Sequence, residues 1–150
     1  MNRLIVDGQP HPMQRPRFSS RGGIVHTYPT LKDKRYKKDI QDAFEEQKEQ
    51  GKVITLEDTE KPLEVKIWAF MAIPKSTTKA QRKLIDEGKI LPTKRNGDCD
   101  NIAKIIIDAL AGYMFMADDS RVVHLEVTKH FAIDDTPRVE VEINYLDNNN

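Results

Sequence analysis

Apolar and polar residues alternate most regularly between Leu63 and Ile73, and this segment is the clearest strand in the sequence. Its apolar side chains fall on every second residue, which is the period of a strand with one buried face. In the second half of the segment the intervening residues are Trp68 and Phe70, so both faces of that half are expected to be buried. Pro74 ends the strand, because proline lacks the N–H group that a sheet ladder requires.

Shorter alternating segments predict further strands. Residues 4–6 and 24–28 are short candidates, and the segment 9–18 between them holds three prolines, which favour an extended loop. Residues 122–131 and 139–145 alternate over longer stretches, and a short polar turn joins them. We expect these last two segments to pair with each other as a hairpin.

Helical spacing of apolar residues appears in three places. Residues 31–50 carry apolar side chains on one face and end before Gly51. Residues 77–88 form a short helix that a Ser-Thr-Thr sequence at 76–78 caps and that ends at a glycine. Residues 100–111 place isoleucine, alanine and leucine on one face and polar residues on the other, which predicts a second core helix.

Together these elements predict a single α+β domain over residues 1–150. We expect a mixed or antiparallel sheet of about four to five strands, with two main helices packed on it. The polar tail at 147–150 is expected to fray. Apolar residues make up 38% of the chain and charged residues 32%, so we expect a modest core and a highly charged surface.

Composition argues against several classes of protein. No segment approaches the roughly 18 consecutive apolar residues of a transmembrane helix, and the apolar stretch near the N-terminus is too short for a signal peptide. The single cysteine, Cys99, excludes an internal disulfide and a Cys-rich zinc site. We therefore expect a cytoplasmic protein without a membrane partner.

The formal net charge is zero, but charge is unevenly distributed along the chain. Residues 1–38 carry nine positive and two negative side chains, a net charge of +7. Residues 39–97 are balanced, and residues 98–150 carry four positive and eleven negative side chains, a net charge of −7. Such asymmetry indicates a nucleic-acid partner or an ionic site. The alternative is that the two ends of the chain attract each other in the fold.

The segment 98–110 carries the residues that suggest chemistry. On a helical wheel of about 100° per residue, Asp100, Lys104 and Asp108 share one face, while apolar residues occupy the other. Asp98 precedes this helix. Two aspartates at a helix start exceed what a single N-cap requires, so these carboxylates are candidates for a further role.

A second acidic pair, Asp118 and Asp119, follows the helix after a short loop. If the loop returns the chain to the helix start, three or four carboxylates converge, and they would repel one another unless a cation neutralised them. Oxygen ligands favour Mg²⁺ or Mn²⁺ over zinc, and such a metal can polarise a phosphodiester. Lys104 would then stabilise charge on the reacting phosphate. The alternative is a solvated ladder of ion pairs along the helix.

In order and spacing these residues resemble the RusA family of Holliday junction resolvases, found mainly in bacteria and their phages. The family pattern is Asp-x-Asp-Asn-x-x-Lys-x-x-x-Asp-Ala-Leu, followed after a short spacer by an acidic pair, and residues 98–110 and 118–119 match it. The segments 15–18 and 73–75 also resemble phage and prophage members. The resemblance extends from about Leu4 to Tyr145.

The resemblance implies a RusA-like fold and a homodimer that uses Mg²⁺, for which Mn²⁺ can substitute. It implies paired symmetric nicks in four-way DNA junctions during recombination and repair. By the same resemblance Asp98, Asp100 and Asp119 are catalytic residues that bind the metal. Lys104 is the catalytic lysine, and Asp118 is a neighbouring metal ligand that assists.

Basic residues supply the expected DNA contacts, because contacts to phosphates position a protein without reading sequence. Phe18 would stack on or wedge between bases where a junction opens, with ordinary loop packing as the alternative. Lys94 and Arg95 would steer the strand towards the metal, with a solvated loop as the alternative. The predicted DNA-binding residues are Arg15, Arg17, Phe18, Arg21, Lys34, Arg35, Lys37, Lys38, Lys94 and Arg95.

Two other functions fit the sequence. One is a broader nuclease that nicks forks or flaps during phage replication. The other is a module that binds branched DNA without cutting it. For all of these functions the expected location is the cytoplasm of a bacterial cell. The gene would belong to the host, a phage or a prophage.

Overall fold

The computed structural model describes residues 2–14, 17–93 and 97–146, and for 17–21 and 24–27 it describes the backbone alone. Within these ranges no helix is long and apolar enough to cross a membrane. The elements in chain order are β1 (Arg3–Asp7), β2 (Arg17–Arg21), β3 (Ile24–Tyr28), α1 (Leu31–Glu49), β4 (Leu63–Met71), α2 (Lys79–Asp86), α3 (Cys99–Leu110), β5 (Val122–Phe131) and β6 (Arg138–Tyr145).

Strand β4 lies inside a four-stranded mixed sheet with the order β1-β6-β4-β5. It pairs in parallel with β5 and antiparallel with β6, and β1 pairs antiparallel with the far side of β6. Strands β2 and β3 form a separate antiparallel hairpin. The predicted α+β fold class is confirmed, with a mixed sheet of four strands. The predicted short helix is also present as α2, and Thr78 and Gln81 form a capping box at its start.

The prediction that β5 and β6 pair as a hairpin is wrong, because β4 lies between them. Pairing on both sides satisfies the backbone of β4, and its five core-facing side chains, each at most 1% exposed, belong to one core cluster with residues of α1 and α3. The connection from β5 to β6 therefore crosses the end of β4, where the Ala132 N–H donates to the Met71 carbonyl at 2.7 Å.

Helices α1 and α3 pack together over the core face of the sheet. Helix α1 contributes the buried side chains of Tyr36, Ile40 and Phe44. Helix α3 buries seven of its twelve residues. Gln41 of α1 donates from Nε2 to the Ala109 carbonyl at 3.1 Å, which fixes the two helices against each other.

The opposite face of the sheet is only partly covered. Trp68 and Phe70 point to this face and remain half-buried, so the expectation that both faces of the strand are buried is wrong. The Arg3 guanidinium lies 4.3 Å from the centre of the Trp68 ring, and that of Arg138 lies 4.1 Å from the Phe70 ring. Cation–π contacts from β1 and β6 therefore cover part of these aromatic rings.

Part of the charge asymmetry is used within the fold. Arg3, in the basic third of the chain, lies 3.3 Å from Glu140 and 3.2 Å from Glu142, both in the acidic third. Lys37 of α1 lies 4.0 Å from Asp108 of α3. The two ends of the chain thus attract each other, as the alternative explanation of the charge pattern predicted.

The loop after β1 fixes the start of α3. Gly97 has φ +80°, and a Cβ atom at this position would lie 2.6 Å from Cγ of Pro12. The next residue of the loop, Met13, donates its backbone N–H to the Asn101 carbonyl at 3.0 Å. Packing and a hydrogen bond therefore place the backbone just before Asp98.

Alanine at position 97 tests this contact. The matched control is Gly112→Ala, because Gly112 has a similar φ of +85° but its Cβ would meet no atom within 4 Å. We expect Gly97→Ala to lower the free energy of unfolding by about 1–3 kcal/mol more than Gly112→Ala, measured by urea denaturation. Pro12→Gly removes both Cγ and Cβ, which would lie 2.6 and 2.7 Å from the added atom, so in that background the two glycine variants should lose similar stability. Equal losses in the two glycine variants would contradict the contact.

Candidate active site

The exposed face of α3 carries Asp100, Lys104 and Asp108, as the helical wheel predicts. The Lys104 ammonium lies 3.4 Å from Oδ1 of Asp108 and 3.9 Å from Oδ2 of Asp119. Asp119 belongs to a single 3₁₀ turn, Asp119–Arg121, directly before β5. The lysine therefore joins the polar face of α3 to the turn that carries the second acidic pair.

Asp100, Lys104 and Asp119 line one surface cavity of about 350 Å³, which we call the active-site cavity. Its other walls are apolar and include two exposed residues of β5, Val123 at 60% and Leu125 at 46%. A concave site with mostly apolar walls and a few convergent polar groups is typical of a ligand-binding site.

Asp98 is the N-cap residue of α3, but its side chain makes no capping hydrogen bond. An N-cap aspartate usually accepts a hydrogen bond from the second or third backbone N–H group of its helix. The carboxylate of Asp98 is exposed, and it is not part of the lining of the active-site cavity. The ordinary role of a capping residue therefore does not account for it.

Asp118 has a structural partner. Its carboxylate accepts hydrogen bonds from the hydroxyl and from the backbone N–H of Ser120, the latter at 3.1 Å. These hydrogen bonds, that from the hydroxyl first, lower the pKa of Asp118 because they stabilise its charged form. Asp118 thus caps the turn that presents Asp119, and it does not line the active-site cavity.

The carboxylates of the site fit a Mg²⁺ ion that shares its coordination with a substrate. Among the described residues, no three His, Cys, Asp or Glu side chains are grouped closely enough to hold an ion by themselves. Mg²⁺ is usually held by one or two carboxylates together with waters and phosphate oxygens of the substrate. Asp100 and Asp119, both exposed and lining one cavity, supply ligands of that kind.

Lys129 lies near the site but was not among the residues predicted from the sequence. It occupies a core-facing position of β5, opposite Ala69, and its Nζ donates to the Gly97 carbonyl at 2.9 Å. This bond ties the start of α3 to β5. The available signal was a charged residue in the apolar phase of an alternating strand, between Val127 and Phe131.

The predicted DNA-binding residues fall into three groups. The first lies on α1 and consists of Lys34, Arg35, Lys37 and Lys38. The second lies on β2, where the structure describes the backbone, and consists of Arg17, Phe18 and Arg21. The third lies outside the described residues and consists of Arg15, Lys94 and Arg95. In the α1 group, Lys37 is half-buried beside α3 and the other three side chains are exposed.

Comparison with known proteins identifies the family of this chain. The sequence model of the endodeoxyribonuclease RusA family matches residues 7–144, a range that includes α3 and the turn with Asp119. An uncharacterized protein of Bacillus subtilis (strain 168), YqaN, is 32% identical over 143 residues, and the alignment covers 94% of each chain. The chain therefore belongs to the RusA endodeoxyribonuclease family.

Proposed function

We propose that this chain is a Mg²⁺-dependent endodeoxyribonuclease that resolves four-way DNA junctions by paired symmetric nicks during recombination and repair. Its family indicates an endodeoxyribonuclease, an enzyme that hydrolyses phosphodiester bonds within DNA. The observation that supports a reactive centre on α3 is the grouping of Asp100, Lys104 and Asp119 around one cavity.

Asp100 and Asp119 are the proposed principal ligands of the metal, because their carboxylates line the same cavity. Carboxylate oxygens suit Mg²⁺, and Mn²⁺ can substitute for it. Asp98 is the proposed third acid, because its carboxylate lies at the start of the same helix without a capping hydrogen bond. Asp118 acts through the turn that it caps and so positions Asp119. When bound, the metal supplies a Lewis acid for the scissile phosphate.

Lys104 is the proposed electrostatic catalyst. Its ammonium already lies between two carboxylates, 3.4 Å from Asp108 and 3.9 Å from Asp119. A phosphate that enters the cavity meets this positive charge directly, and the charge is held in place by Asp108 one helical turn away. A fixed cation at the point where negative charge develops lowers the barrier to hydrolysis.

The rest of the proposed function concerns the shape of the substrate. A four-way junction has two-fold symmetry, so a homodimer with a two-fold axis would present one cavity to each of two strands. The exposed basic residues of α1, Lys34, Arg35 and Lys38, are the proposed contacts to phosphates. Such contacts position the DNA without reading its sequence.

Replacing Asp100 separates binding from cleavage. Asp100→Asn should abolish nicking of a four-way junction in Mg²⁺, because a neutral amide is a poor ligand for the ion, while the affinity for the junction is kept. The measurements are gel analysis of nicked strands and fluorescence anisotropy. Removing the metal with EDTA should likewise stop nicking by the unmodified protein, and Mg²⁺ or Mn²⁺ should restore it.

Glu49→Gln is the matched control, because Glu49 is an exposed acid at the far end of α1. We expect it to nick at the unmodified rate. Full activity of Asp100→Asn would remove the metal-site assignment. Forks, flaps and plain duplex serve as comparison substrates, and nicking of duplex as fast as of four-way junctions would contradict the proposed specificity. Binding without nicking in either metal would instead identify a non-cleaving DNA-binding module.

Salt dependence tests the basic surface of α1. Each phosphate contact releases counterions, so the logarithm of the binding constant should fall linearly with the logarithm of salt concentration. Lys34→Gln should reduce the slope of that line by about 1. Lys52→Gln, which removes an exposed lysine beyond the opposite end of α1, should leave the slope unchanged. A slope that does not respond to Lys34→Gln would exclude a phosphate contact at this residue.

A further inference from the structure

A second cavity of about 290 Å³ lies next to the active-site cavity. Asp108 joins the two, because it lines the second cavity and its carboxylate lies 3.4 Å from Lys104, which lines the first. The other oxygen of Asp108 lies 4.0 Å from Lys37, which also lines the second cavity. Four side chains of alternating charge therefore connect the two cavities, in the order Lys37, Asp108, Lys104 and Asp119.

An exposed aromatic side chain forms one wall of the second cavity. Tyr28, at the end of β3, is 44% exposed, and the exposed Pro29 follows it in the same wall. A tyrosine at the rim of a cavity offers an apolar ring face together with a polar hydroxyl, and tyrosine is enriched at binding surfaces for this reason. Aromatic rings in nucleic-acid-binding proteins stack on bases without regard to sequence, because every base has a π face.

Two other residues of the cavity lining, Gln14 and Asp33, are joined to each other by hydrogen bonds. The Gln14 N–H donates to both carboxylate oxygens of Asp33, at 3.2 and 3.3 Å, and His11 Nε2 lies 2.7 Å from the same carboxylate. Asp33 is only 2% exposed, so these bonds satisfy its charge within the protein. A wall that is fixed before binding reduces the entropy lost when a ligand enters.

We propose that this second cavity is a base subsite, which takes one unstacked nucleobase of the strand whose phosphate enters the active-site cavity. Tyr28 stacks on the base, and Lys37 contacts the adjoining phosphate. The inference rests on the proposed function and names the feature of the DNA that the site selects. A base at a branch point leaves the stack at lower cost than a base inside a duplex, so the subsite favours branched DNA.

The test uses the whole 150-residue chain in EDTA, so that binding is measured apart from cleavage. Tyr28→Ala should weaken binding of a four-way junction about tenfold and leave duplex binding unchanged, whereas Tyr28→Phe should keep the junction affinity. Ile54→Ala is the control, since Ile54 is 59% exposed and outside this cavity. A junction with 5-iodouracil at the branch point, irradiated in complex with the unmodified protein, should form a crosslink at Tyr28.

Several results would overturn the base subsite. These are equal losses of junction and duplex affinity in Tyr28→Ala, a crosslink confined to other residues, or unchanged junction affinity together with an altered oligomeric state. The last result would assign the cavity to a protein contact. If the unmodified protein nicks junctions while Tyr28→Ala binds them normally, the subsite alone fails. If the unmodified protein does not prefer junctions to duplex, both the base subsite and the proposed function fail.

Discussion

Helix α3 buries seven of its twelve side chains against the sheet and α1, and this burial fixes the direction of its polar face. Each buried isoleucine or leucine contributes roughly 1.5–3 kcal/mol, so the helix cannot rotate to hide its charged residues without exposing several of these side chains. The polar residues four positions apart are therefore held in one line on the surface. Helix geometry sets the spacing of Asp100, Lys104 and Asp108, and core packing, rather than any contact between the charged groups, sets the direction in which they face.

The other parts of the site are brought to this helix by separate segments. The Asp118 cap holds the turn that places Asp119 beside Lys104. Lys129 from β5 and Pro12 from the first loop hold Gly97, directly before Asp98. The mixed sheet matters here, because the parallel pairing of β4 with β5 puts β5 at the edge beside α3.

Features that depend on residues close together in the sequence could be predicted from it. The polar face of α3 and the start of α2 follow from spacing along one helix, and both are present. The β5–β6 hairpin failed because a turn signal cannot reveal that a strand from elsewhere will insert between its partners. Lys129 was missed for a related reason, since its partner Gly97 lies 32 residues away. The wall formed by Tyr28 likewise exists only once β3, α1 and α3 are assembled.

In the proposed function, the carboxylates on α3 and in the turn before β5 together form one divalent-cation site. Paramagnetic broadening of backbone amide signals by substoichiometric Mn²⁺ tests it directly, because the broadening falls steeply with distance from the ion. We expect the signals of Asp100, Lys104 and Asp119 to disappear first and excess Mg²⁺ to restore them. Broadening centred on the acidic residues of β6, with these three signals unaffected, would contradict it.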